Sequence, residues 1–173
     1  MHKKFLKRLQ KLIDQSPVLP IDDQSKLIFF SDCHRGYGGH ADDFAHNQLL
    51  FIRALTHYKK NDYTYIELGD GDELWENKDF ERIKDNYRTL FELFQSLHSR
   101  NRLYLLWGNH NRRWKRKRKV NKGFATITDD KTGKKKPLFK DLTIHESLLL
   151  QYKNEKNKIL LLHGHQGDCL NDT

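Results

Sequence analysis

The sequence predicts an α/β fold whose first sheet is mostly parallel and flanked by helices, and three observations predict it. Short aromatic and β-branched runs alternate with longer segments of helical periodicity. Each of four such runs gives way to Asp, Gly or His. The chain has 173 residues, the size of one domain that can bury a core without cross-links. Strands separated by single helices become parallel neighbours joined by right-handed crossovers.

Residues 1–15 open the chain as a basic amphipathic helix, with Phe5, Leu6, Leu9, Leu12 and Ile13 on one face among five lysines and arginines. That helix either caps the domain or lies on a membrane surface. Residues 16–20 read as a turn. The first strand is 26–31 (KLIFFS), ending at Asp32. A helix follows over 42–60, where Phe44, Leu49, Phe51, Ile52, Leu55 and Tyr58 recur near helical spacing and Asp42 or Asp43 can cap it. The second strand, 63–68 (YTYIEL), stops at Gly69. One long helix is expected over 78–99, because Phe80, Ile83, Tyr87, Leu90, Phe91, Phe94 and Leu97 repeat every three or four residues. The third strand, 102–107 (RLYLLW), ends at Gly108. Within 112–141 a basic stretch precedes a polar segment containing Asp129, Asp130, Gly133 and Pro137, which reads as an exposed loop or hairpin. Strands over 142–152 and 158–163 complete the reading.

Composition narrows the class. Two cysteines, Cys33 and Cys169, are too few for a disulfide framework, and Cys33 stands between two metal-type ligands, so a reducing, cytoplasmic setting is expected. No apolar run approaches the roughly 20 residues that span a bilayer. The net charge is +9, and residues 112–119 carry seven positive charges interrupted only by Trp114. The basicity is therefore one patch rather than a property of the whole surface.

The chemistry lies where the strands end. Asp32 and His34, Asp70, Asn109 and His110, and His163 each follow an apolar run. In open α/β sheets ligands gather beyond the carboxyl ends of the strands, so these distant residues are expected to converge. Asp32 and His34, two apart, would point to one side of an extended strand end. Asp70, flanked by glycines and offering two oxygens, could bridge two ions. Mixed oxygen and imidazole ligation suits manganese, iron or zinc better than calcium.

The succession Asp32-Cys33-His34, Gly69-Asp70 with Glu73, Gly108-Asn109-His110 and His163-Gly164-His165 resembles the calcineurin-like metallophosphoesterases. Their motifs read D-x-H, GDxxD/E, GNHD/E, H and GHxH. The resemblance implies the N-terminal part of an α/β/β/α sandwich and a hydrolase acting on phosphate mono- or diesters with two divalent ions and a hydroxide bridging them. It implies Asp32 and His34 on the first ion, Asp70 as bridge, Asn109 and His163 on the second, and His110 as general acid. Arg35 and His165 become candidates to hold phosphate oxygens. The sequence departs from the pattern at Asn111, where an acid that would support His110 is expected, and at Gly164-His165-Gln166-Gly167, which fails the last position of GHxH. On that reading one histidine per ion is missing from this chain, which is expected to be a truncated domain. Two other readings are a nucleic-acid-binding protein using patch 112–119 with Trp114 for stacking, and a non-catalytic scaffold.

Overall fold

The computed structural model describes residues 2–153 and 156–166; Cys169 and the failed last position of GHxH, Gly167, lie outside them. Its architecture is α/β, with a mostly parallel sheet flanked by helices. The element order is α1 (His2–Gln15), β1 (Val18–Ile21), β2 (Leu27–Phe30), α2 (Gln48–Lys60), β3 (Thr64–Glu67), α3 (Phe80–Asn86), α4 (Arg88–His98) and β4 (Leu103–Leu106). Then come α5 (Lys117–Gly123), β5 (Thr126–Thr128), β6 (Lys135–Pro137), β7 (Ile144–His145), β8 (Ser147–Tyr152) and β9 (Lys158–Leu162).

The first sheet has the order β2-β3-β4-β7, all parallel. Strand alternation divides its side chains between two apolar layers. Tyr65, Leu103, Leu105 and Ile144 face the helices, where Phe51, Leu55, Ile83, Leu90, Phe91 and Phe94 meet them. Ile66, Leu106 and Tyr104 face the second sheet, β1-β8-β9, and pack on Leu148, Leu150, Leu19 and Leu161. Burial on both faces explains why β3 and β4 read as continuous apolar runs. The second sheet is mixed: β1 runs parallel to β8, and β9 antiparallel to it.

Four elements differ from the sequence reading, among them the single strand expected over 142–152, which divides into β7 in the first sheet and β8 in the second. Residues 18–20, expected within a turn, form β1 together with Ile21, because the edge of β8 offers Val18 to Ile21 four paired positions that their own sequence does not announce. The long helix is interrupted at Tyr87, whose backbone leaves helical geometry while its hydroxyl donates to Asp42 Oδ2 at 2.5 Å. Asp42 also accepts from the amides of Gly38 and Ala45, so it braces a short 3-10 turn (Ala45–Asn47) rather than capping α2. The polar segment resolves into the β5–β6 hairpin. Helix α1 buries Leu12 and leaves Phe5, Leu6 and Ile13 exposed; no helix among the described residues is long and apolar enough to cross a membrane.

Candidate metal centre

Two loops zip together beyond the ends of β2 and β3. The amides of Asp32, His34 and Arg35 donate to the carbonyls of Gly69, Asp70 and Gly71, and Glu73 returns a bond to the Arg35 carbonyl. Along this zipper Asp32, His34 and Asp70 adopt φ values of 53°, 47° and 50°. The left-handed region is costly for residues with a Cβ, on the order of 1–3 kcal/mol each, and persists where the surroundings over-determine it. Left-handed turns, not the pleat of an extended strand, bring Asp32 and His34 to one side, with His34 Nε2 3.8 Å from Asp32 Oδ1.

The residues predicted from the strand ends converge. Oxygen and nitrogen atoms of Asp32, Asp70 and His163 lie within 4.8 Å of one another, as do those of His34, Asp70 and His110, so the two groups share Asp70. His34 keeps Asp32, its partner in the sequence reading, 3.8 Å away and has His110 beside it as well. Asn109 joins the first group, its Oδ1 3.2 Å from His163 Nε2. Close approach is possible because residue 108 is glycine: a Cβ there would sit 2.3 Å from Asp70 Oδ1 and 2.6 Å from the His163 ring.

The donor set fits a cation. His163 Nδ1 lies 3.0 Å from the Leu68 carbonyl, to which it can only donate. Its Nε2 then faces two acceptors, Asp70 Oδ2 at 3.0 Å and Asn109 Oδ1. Three acceptor atoms meeting at one point require a proton or a metal ion between them, and a histidine whose second nitrogen is tied to a carbonyl is the usual form of a metal ligand. Burial opposes a charged His163, but Asp70 overrides it and raises the pKa. Burial likewise opposes the Asp70 carboxylate, while His163 and the His110 amide, 2.8 Å from Oδ1, outweigh it and hold its pKa below the usual value.

Glu73 carries the opposite half of the site. Its Oε1 accepts from the amides of Trp75 and Glu76 at 2.8 and 3.2 Å. Its Oε2 contacts Nδ1 of both His34, at 3.1 Å, and His110. Burial acts against the Glu73 charge, but these partners lower its pKa. The carboxylate thought missing beside His110 is thus Glu73, while Asn111 accepts from the Gly108 amide at 2.7 Å and shapes the loop.

Two candidates fall elsewhere. Arg35, expected to reach substrate, is 1% exposed. Its guanidinium forks onto Glu67 at 2.6 and 2.9 Å and onto Asp72 at 3.0 Å, so its donors serve the interior. Asp72 also accepts from the indole of Trp114 at 3.0 Å. Trp114 is 1% exposed and packed against Phe80 and Phe124, which removes it as a stacking surface. His165 is buried beside the site, its ring 5.6 Å from that of His163 and 5.1 Å from Trp107. The Cys33 thiol, between Asp32 and His34, is pushed up to about 12 by burial and then by Glu67, so it offers no thiolate at neutral pH.

One site residue had no signal in the sequence. Trp75 stacks on His110 with centroids 3.8 Å apart and an interplanar angle of 24°, and it remains 53% exposed. A scan against protein-family models and searches of curated proteins and of solved structures find no match.

Proposed function

We propose that this protein is a dinuclear metal-dependent phosphoesterase of the calcineurin-like type. The observation that carries the reading is the pair of ligand groups sharing Asp70 at the carboxyl ends of a parallel sheet. Two divalent ions, when bound, would neutralise phosphate oxygens and lower the pKa of a water to make hydroxide at neutral pH. Asp70, Asn109 and His163 would hold one ion, and Asp32, His34 and Asp70 the other, with His110 of the second group left free to act as acid; manganese, iron and zinc suit these donors.

The chain's own groups supply the rest. Asp70 keeps its two oxygens apart in role, Oδ2 toward His163 and Oδ1 toward the His110 amide, which fixes the loop bearing the general acid. Glu73 takes Nδ1 of His110 and leaves Nε2 to give its proton to the departing ester oxygen. Trp75 covers one face of that ring and limits its rotation. The nitrogen pattern of His34 and His163, each with Nδ1 tied to an oxygen, presents Nε2 for ligation.

Replacing Asp70 by Asn tests the assignment. A neutral amide is a poorer bridge between cations, so manganese-dependent hydrolysis of a generic phosphate ester should fall by roughly two or more orders of magnitude. Turnover near that of the wild type would exclude Asp70 as the bridge.

A further inference from the structure

We propose that the substrate is single-stranded nucleic acid, with one base stacked on Trp75 and neighbouring phosphates held by the basic segment 112–119. The inference rests on the phosphoesterase reading for the reacting phosphate, and on separate observations for what surrounds it.

The first is the placement of Trp75. Its indole lies over the general acid, its amide is pinned by Glu73 Oε1, and about half of the residue faces solvent. An aromatic plane anchored beside the reacting centre and open on its other side is a platform for a flat apolar group. Every nucleobase has such a face.

The second is how the cations are arranged. The basic segment begins two residues after His110 and turns at once into a 3-10 helix (Arg112–Lys115), which keeps it at the rim. Arg113 donates to the Lys78 carbonyl at 3.2 Å, three residues beyond Trp75, so the turn leans on the loop that carries the platform. Lys115 lies 5.7 Å from the Trp107 ring, and that ring neighbours His165 on the His163 side. Arg113, Lys115, Arg116, Lys117 and Arg118 are all exposed. Five exposed cations within residues 113–118, starting just beyond the general acid, suit a chain of phosphates better than one isolated monoester. In a duplex the base faces are stacked on each other and closed to Trp75, so a single strand is the form that fits.

Hydrolysis of such a strand balances simply. A water oxygen bonds phosphorus and releases a proton to solvent, the bond from phosphorus to one sugar oxygen breaks, that oxygen takes the proton of His110, and the histidine recovers one from solvent. One product ends in phosphate and the other in a hydroxyl.

Binding can be read without catalysis. Trp107 and Trp114 are 3% and 1% exposed, so quenching of tryptophan fluorescence by an added ligand reports Trp75. The full chain would be titrated in EDTA with a thymidine oligonucleotide about twelve nucleotides long, and with an abasic strand of equal length. The oligonucleotide should quench and bind about tenfold more tightly than the abasic strand; with both strands end-labelled, so that affinity is read by fluorescence anisotropy whether or not residue 75 is tryptophan, Trp75→Ala should erase that preference. Replacing Arg116, Lys117 and Arg118 by Ser should weaken both strands and flatten the salt dependence, by about 0.7 in log–log slope per lost phosphate contact. Equal affinity of the wild type for the two strands would overturn the proposal, as would an unchanged preference in Trp75→Ala. The two readings fail separately. A base preference with no manganese-dependent ester hydrolysis would sink the phosphoesterase assignment, and hydrolysis without base preference would sink this one.

Discussion

Two charge clusters share the same pair of loops and have opposite chemistry. Asp32, His34, Asp70 and Glu73 turn toward the cleft, while their neighbours Arg35 and Asp72 turn inward to Glu67, Tyr65 and Trp114. In the inner cluster each carboxylate oxygen has a donor. Glu67 accepts from two guanidinium nitrogens and from the Tyr65 hydroxyl at 2.8 Å, and Asp72 from Arg35 and the Trp114 indole. Its one cation and two carboxylates are paired within the protein. In the outer cluster acceptors point at acceptors: Asp70 Oδ2, Asn109 Oδ1 and His163 Nε2 meet with only a proton to share. A buried ion pair that satisfies itself is structure, whereas converging lone pairs on strained backbone are a group that could hold a cation. Residue type does not separate the two clusters; the direction each side chain takes does.

The largest expected effect breaks the inner cluster. Arg35→Ala would leave Glu67 and Asp72 buried without their cation, and removal of one partner from such a pair is destabilising by about 3–5 kcal/mol. A denaturant titration in EDTA should show that loss. Asp70→Asn, in contrast, should cost clearly less, because the amide oxygen still accepts from His110 and His163, unlike an arginine, can give up its charge when its partner is neutral. Equal destabilisation by the two variants would erase the distinction between the clusters.

Metal should act on the outer cluster alone. At a free manganese concentration about a hundredfold above the dissociation constant, binding to the folded state should add about 2.7 kcal/mol. For a protein of this length that is a rise in Tm of roughly 5–10 °C, read by differential scanning calorimetry. Asp70→Asn should lose most of the rise, and a Tm indifferent to manganese would remove the metal centre.

The smallest effect belongs to groups outside both clusters and serves as their control. Burial lowers the pKa of His145 and, against Asp141, that of His98. The unfolded chain therefore takes up protons near the ordinary histidine value of about 6.5 before the folded one does. Their contribution is intact above that pH and declines as pH falls below it. His163, raised by Asp70, acts in the opposite sense, so the informative quantity is the difference between wild type and His145→Asn. That variant should lose less stability than the wild type between pH 7 and pH 5 in EDTA, measured by denaturant midpoint. An identical pH dependence would show that His145 does not titrate differently on folding.

By itself the sequence determined the strands and the residues that end them. Runs 63–68 and 102–107 announce β3 and β4 because burial on both faces demands continuous apolar side chains, run 26–31 announces the half-buried edge strand β2 by its apolar content, and the parallel topology then delivers Asp32, Asp70 and Asn109 to one edge. Tertiary structure alone decided the rest. Strand β1 exists because β8 has an edge to pair with, and the helix break at Tyr87 accompanies a hydroxyl bond to Asp42, which lies 45 residues away. The inward turn of Arg35, the service of Glu73 to two histidines, and the contrast between buried Trp114 and exposed Trp75 follow from side-chain directions set by left-handed turns and by packing. Apolar patterning is a local, periodic property and is written along the chain. Which way a polar side chain turns is settled by partners brought near only when the chain folds.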